Sequence, residues 1–297
     1  MVELKKSNIL IVGLVRNCEK KIENSLFKIE ESLKKALSIR FYIIESDSND
    51  NTLSILSKIS NKKNNFTYVS LGCLKTKYPK RTQRLAYCRN YYLDYINYNS
   101  ENEKIDYVVV ADLDGVNDGI SSNAIESCWN RIDWDVCTAN QHGPYYDVWT
   151  LRHSTWSPND CSNQFNFLRS KGVNLFRSSL YSLYSRMIVL SPSENWIEVD
   201  SSFGGFAIYK KKILLNTKYV GLNDEGEEIS DHVSVNKQIR SAGGRIFINP
   251  TLINSGVVEH SFYATKIGLI IFWFRCCIRS ILCYLQLLPI IKKLKKL

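Results

Sequence analysis

Two aspartates one residue apart, Asp112 and Asp114, close an apolar run that begins at Tyr107, and Gly115 follows them. A continuous β-branched and aromatic run bounded by a turn signal predicts a central strand of a parallel sheet, buried on both faces. Ligands of such sheets bind beyond the carboxyl ends of the strands. Side chains two apart can turn toward one point where a strand stops. Two hard carboxylates at one point suit Mg²⁺ or Mn²⁺, an ion able to carry phosphate oxygens. A strand closing in an Asx-turn with solvated aspartates would show the same residues, so the chemistry depends on what else the chain brings there.

The elements that would position this pair alternate in type. Residues 8–15 predict a first buried strand, with Arg16 and Asn17 at its end. Residues 19–37 carry Ile22, Leu26, Ile29, Leu33 and Leu37 at helical spacing. A second strand over 40–44 runs into the acidic turn Glu45-Ser-Asp-Ser-Asn-Asp-Asn-Thr52, after which a helix resumes. This β-α-β-α opening is the sign of an α/β nucleotide-binding half. A third strand is expected over 66–70, a helix carrying Arg81, Arg84 and Arg89 over 81–94, and a further strand over 135–140. Solvated helix arginines are the plain alternative, preferred for Arg81.

Residues 153–200 have weak periodicity and read as a long loop-rich insertion, of the kind that covers a site. Gly204 and Gly205 permit close backbone approach to a ligand. A helix over 227–240 is stopped by Ala242-Gly-Gly, a short strand follows over 245–250, and 257–260 close the body. There is no internal repeat.

The 297 residues carry a net charge of +10. From 261 onward there are seven basic residues and no acidic one, which leaves +3 on the first 260. A nearly balanced body argues against nucleic-acid binding, which needs basic residues on the folded surface. The first apolar run is short and leads into Arg16-Asn17, so no secretory signal is expected. Nine scattered cysteines without a CxxC pair fit reduced thiols of a cytoplasmic protein.

The segment 261–297 divides from the body as a basic amphipathic helix. Arg275, Arg279, Gln286 and Lys293 fall within about 40° of one another at helical spacing, and nearly everything else from Ile267 to Ile291 is apolar. Two arginines inside the span disfavour a transmembrane helix. The narrow polar stripe and terminal lysine cluster fit a helix lying peripherally on an anionic membrane, with Pro289 kinking or ending it. Docking on the body or on a second subunit is the alternative, which leaves oligomerisation open.

Taken in order, Arg16-Asn17, the turn at Glu45–Thr52, Arg89-Asn90, Asp112-Leu-Asp114, Gly204-Gly205, Asp231-His232 and His260 resemble a GT-A glycosyltransferase of the family 2 kind. A closer likeness is to the fungal capsule-associated α-1,3-mannosyltransferase family, through Glu45–Thr52, Arg84-Leu-Ala-Tyr-Cys-Arg-Asn90 and Tyr146-Asp-Val-Trp-Thr-Leu-Arg152. The resemblance covers residues 8–260. It implies a Rossmann-like mixed sheet flanked by helices and transfer of a hexose, with mannose the sugar of the closer family. The donor would be a GDP- or UDP-sugar, the acceptor a surface glycan or lipid-linked saccharide.

The implied roles follow residue by residue. Asp112, Asp114 and His260 would hold Mn²⁺ or Mg²⁺, and Arg84 or Arg89 would offset charge on the leaving diphosphate. Glu45 would accept from the nucleotide base in a pocket lined by Arg16, Asn17 and Ser48, with Leu113 in the same donor-binding segment. For Ser48 and Asp50 turn and cap chemistry is the plain alternative. Asp231, followed by His232, would be the base in an inverting enzyme and a sugar or acceptor contact in a retaining one. Asp147, Trp149 and Arg152 would hold sugar hydroxyls beside Gly204 and Gly205. Two rivals remain. A phosphatase of the haloacid dehalogenase type would use Asp112 as nucleophile and Asp114 as acid/base, but that motif normally opens a chain. A non-catalytic membrane-surface adaptor would use the tail alone.

Overall fold

The structure is a computed structural model describing residues 3–284. The expectations for Gln286, Pro289 and the terminal lysines fall outside those residues. Strand alternation builds two core layers, one on each face of the sheet. In β1 (Asn8–Val15), Leu10 and Val12 pack on one face and Ile9 and Ile11 on the other. In β4 (Tyr107–Ala111), Val108 and Val110 oppose Tyr107, Val109 and Ala111 in the same way, and all five residues are buried. Each fully buried Val, Leu or Ile among them contributes roughly 1.5–3 kcal/mol of transfer free energy.

The chain opens β1, α1 (Ile22–Ser32), β2 (Ser38–Glu45), α2 (Thr52–Lys62), β3 (Phe66–Ser70) and α3 (Arg81–Tyr98), then enters β4. α4 (Ser122–Glu126), β5 (Val136–Gln141), α5 (Cys161–Ser170), α6 (Leu175–Ser182) and β6 (Ile197–Val199) come next. The series ends with β7 (Phe206–Lys210), α7 (Lys211–Leu214), α8 (Asp231–Ser241), β8 (Ile246–Ser255) and α9 (Lys266–Tyr284). The eight-stranded sheet has the order β3-β2-β1-β4-β7-β5-β8-β6. This is the expected mixed sheet flanked by helices.

Two expectations are corrected. β4 is central and buried but parallel only to β1; its other neighbour, β7, runs antiparallel. An apolar run reports burial on both faces and is silent on the direction of its partners. Residues 153–200 keep long loops but also contain α5, α6 and β6, more regular structure than expected. Asp160 and Asn174 cap those helices by accepting from backbone N–H groups two and three residues on, a local signal that weak periodicity had masked.

Candidate active site

The carboxyl end of β4 delivers Asp112 and Asp114 into an open cleft of about 1090 Å³, whose walls include Lys21, Arg81, Tyr146, Asp147, Trp149 and His260. A network of buried amides fixes the floor. Asn117 donates to the carbonyls of Asp112 and Gly205 at 2.8 and 2.9 Å. Asn254 donates to the Gly204 carbonyl at 2.8 Å and to Asn117 Oδ1 at 2.7 Å, and Gln141 donates to Asn254 Oδ1 at 3.2 Å. Asp112 N–H in turn donates to the Gly205 carbonyl at 2.9 Å. The antiparallel β4–β7 pairing makes this possible, because it brings Gly204-Gly205 directly beside the aspartates.

Both glycines have left-handed backbones, with φ of 67° and 81°. A Cβ on Gly204 would meet the Ala139 carbonyl at 2.8 Å, and one on Gly205 the Tyr146 hydroxyl at 2.6 Å. The expected close approach is thus to the protein's own backbone and to Tyr146.

α3 brings Arg89 in from the side. Its buried positions Thr82, Ala86, Arg89, Leu93 and Ile96 follow three- and four-residue spacing, so the arginine occupies a core stripe. Asn90 locks the helix in place by donating to the Tyr219 carbonyl at 2.9 Å and accepting from Tyr219 N–H at 2.8 Å. Arg89 Nε donates to Asp231 Oδ2 at 2.8 Å, and its other edge lies 4.0 Å from Asp112. The guanidinium stands over the rings of Phe203 and Tyr219. Its pKa is raised well above the usual arginine value: burial lowers it, but Asp231 and other neighbours prevail.

Desolvation, with neighbouring carboxylates adding to it, raises two carboxyl pKa values in the cleft. Asp112 lies at the cleft floor with 39% of its side chain exposed. Its pKa is pushed up to about 7, chiefly by desolvation, with Arg89 opposing and Asp114, Asp147 and Asp231 adding to the rise. Asp147 accepts from Gly204 N–H at 3.0 Å, yet desolvation still raises its pKa to about 6.

The remaining expected residues fall in several settings. Glu45 is 1% exposed, and its oxygens accept from Ser48 N–H at 2.9 Å and from the Ser70 hydroxyl at 2.5 Å. Ser48 also accepts from Asn17 N–H at 3.1 Å, while Arg16 Nε donates to the Asp47 carbonyl at 3.3 Å. These residues stitch the ends of β1 and β2 together. Arg84 donates to the carbonyls of Tyr78 and Pro79 and so holds a loop. Arg152 is committed to Asp160 and to the Trp149 and Leu151 carbonyls. Leu113 is 1% exposed and packs over Gly13.

His232 is 3% exposed and stacks on Phe203 at 3.8 Å. Neither of its ring nitrogens has a partner among the described residues. Burial, with help from Arg89, pushes its pKa well below the usual range and keeps it neutral. His260 is exposed on the cleft wall with its ring 6.4 Å from that of Tyr146.

Asp112, Asp114 and His260 share this cleft, but among the described residues no three His, Cys, Asp or Glu side chains form a ready-made metal cage. Two hard carboxylates still fit Mg²⁺ or Mn²⁺, which characteristically takes one or two carboxylates and completes its shell with water and substrate phosphates.

Sequence reasoning missed Lys21 and Tyr146 as site residues and set Arg81 aside as solvated. Arg81 lies at the first position of α3, where its side chain reaches the cleft. Lys21 approaches Gly115, 94 residues along the chain, and no local pattern reports such a contact.

No model of a known protein family matches the chain, and neither does any curated protein. Among solved structures it is similar to the 1–349 fragment of TarS from S. aureus, at 15% identity over 89% of this chain and 64% of that one, with a TM-score of 0.45. It is similar to the mannosyltransferase PcManGT from Pyrobaculum calidifontis in complex with GDP-Man and Mn²⁺, at 14% identity over 94% and 66% of the two chains, with a TM-score of 0.47. The same TarS fragment in complex with UDP-GlcNAc gives 15% identity, coverage of 85% and 59%, and a TM-score of 0.46. The chain spans less than two thirds of the length of each of these structures.

Proposed function

We propose that the chain is a metal-dependent glycosyltransferase of GT-A type. It would move a hexose, with mannose the first candidate, from a GDP- or UDP-sugar to a surface-glycan or lipid-linked saccharide. One observation carries the reading. Asp112 and Asp114 share a strand-end cleft with two cations, Lys21 and Arg81, and with the aromatic wall of Tyr146 and Trp149. Carboxylates beside cations suit a metal-bridged diphosphate, and aromatic faces with a few polar groups suit sugar rings.

A bound Mg²⁺ or Mn²⁺ would supply Lewis-acid stabilisation of charge on the leaving diphosphate. Asp112 and Asp114 would hold it, with His260 within the same cleft. Lys21 and Arg81 would draw the diphosphate in and offset its charge. Arg89 would keep Asp112 in place, and Asp231, at 4% exposure, would serve chiefly to position Arg89. Asp147, unlike Asp231, lines the cleft, and its raised pKa suits it to accept from, or take a proton of, an acceptor hydroxyl.

The test is a thermal-shift screen of GDP, UDP, CDP and their sugars, with and without Mn²⁺, on the protein and on Asp114→Ala. A ligand at a hundredfold excess over its dissociation constant stabilises the fold by about 2.7 kcal/mol. The expected result is a metal-dependent shift with one nucleotide, lost in the variant. No shift with any nucleotide, together with hydrolysis of p-nitrophenyl phosphate, would overturn the reading in favour of a phosphatase.

A further inference from the structure

Helix α9 is anchored on one side only. Phe272 turns inward, 5.9 Å from Phe176 of α6 and 5.2 Å from both Tyr184 and Tyr263. On the outer side Ile267, Ile270, Phe274, Ile278 and Ile281 are exposed. A contiguous apolar patch of this kind marks an interaction surface.

Charge says what covers it. Residues 161–190 and 261–284 together contain seven Arg or Lys and no Asp or Glu. One of them, Arg186, is buried, while the other six, Arg169 to Arg279, are exposed. A groove of about 1080 Å³ between α6 and α9 has Arg169, Arg177 and Arg279 along it and Phe176 and Trp273 within it. A second copy would bring the same basic face and be repelled. An anionic bilayer meets both demands, taking up apolar side chains and attracting the cations. No helix among the described residues is long and apolar enough to cross a membrane, so α9 would lie in the interface plane.

The geometry points to a membrane seat built from α6 and α9, and we propose that the acceptor reaches the cleft from that surface as a lipid-linked saccharide. The second half rests on the transferase reading above. Tyr184 connects the two regions, because it lines the cleft of Asp112 and Asp114 and also packs on Phe272 and Tyr263. An amphiphilic acceptor fits this arrangement, with its sugar in the cleft and its hydrocarbon beside the apolar face.

The experiment is flotation of the full chain with phosphatidylglycerol-containing vesicles and with pure phosphatidylcholine vesicles. Partitioning onto the anionic vesicles is expected. Arg177→Gln and Arg279→Gln should each reduce it about fivefold, and Ile270→Glu with Phe274→Glu should abolish it. These side chains are exposed, so the fold should tolerate the changes. Failure to float, or flotation that ignores all four substitutions, overturns the membrane seat. A dimer in gel filtration that the two Glu substitutions dissociate assigns the face to a second copy and overturns it as well. For the acceptor, the double-Glu variant should lose transfer to a vesicle-borne saccharide lipid while keeping its metal-dependent nucleotide thermal shift. Equal transfer by both proteins refutes the delivery. A chain that floats but shows no nucleotide shift keeps the membrane seat and overturns the acceptor half along with the transferase reading.

Discussion

Removing either partner of the Arg89–Asp231 pair should expose how the site is held. The two side chains are 7% and 6% exposed and 2.8 Å apart. Breaking a buried ion pair by removing one member costs about 3–5 kcal/mol, because the other charge is left uncompensated. Arg89→Met keeps most of the volume but strands Asp231 and unshields Asp112, 4.0 Å away, so the upper end of that range is expected. Asp231→Asn retains an acceptor for Arg89 Nε and leaves Asp112 nearby, which places it at about 3 kcal/mol, the lower end. The double variant should cost less than the sum of the singles by about 1–3 kcal/mol, the coupling typical of one ion-pair network. Urea unfolding of all four proteins at pH 7 measures every term. Singles within about 0.5 kcal/mol of the parent, or strict additivity, would refute the view that this pair is the buried brace of the site.

Gly204→Ala places a residue with a Cβ at φ 67° and 2.8 Å from a backbone oxygen. Left-handed strain of about 1–2 kcal/mol and overpacking of about 1–3 kcal/mol should lower the midpoint of urea unfolding, and an unchanged midpoint would refute the close approach. Asp147→Asn tests the raised carboxyl pKa. A group whose pKa rises on folding, here to about 6, holds its proton more tightly in the native state, so stability falls as pH climbs from about 4 to 6 and then levels. The amide cannot ionise, so the variant should be more stable relative to wild type at pH 7 than at pH 4, a difference read by thermal melts at the two pH values.

Much of this fold was legible because its signals are local. The β-α-β-α opening, the Asp112–Asp114 strand end and the stop at Gly243 each depend on residues within a few positions of one another. Arg89 was singled out in the sequence as a cation for a diphosphate, and its place in the buried stripe of α3 against Asp231 is visible only in the structure. What pairs across distance was not legible. Arg84 and Arg152 look as available as Arg89 in sequence, but the structure spends them on loop carbonyls and on Asp160. The amides Asn117, Gln141 and Asn254 are polar residues of no special pattern, and they become a floor only when β5 and β8 run side by side. α5 and α6 were hidden because Ser and Asn interrupt their apolar residues, so capping carried more information than periodicity.

The cleft is also short of positive charge, and that shortage bears on its ligand. Asp231 is neutralised by Arg89, which leaves Asp112, Asp114, Asp147 and Glu259 lining the cleft with Lys21 and Arg81. Desolvation is the chief cause of the rise of the Asp112 pKa to about 7, and the carboxylates of Asp114, Asp147 and Asp231 add to it. Two unit charges of like sign 4 Å apart repel by about 4 kcal/mol at an effective dielectric of 20. A diphosphate entering beside both aspartates would meet that repulsion more than once, and two rim cations offset only part of it. A divalent ion between them converts each repulsive contact into an attractive one. Metal and nucleotide should therefore bind as a coupled pair, with little stabilisation from either alone and a clear shift from both. Because linkage is reciprocal, the nucleotide must raise metal affinity by the same factor that the metal raises nucleotide affinity. Titrating each in the presence and absence of the other measures both factors, and independent binding would show that the diphosphate does not sit against these aspartates.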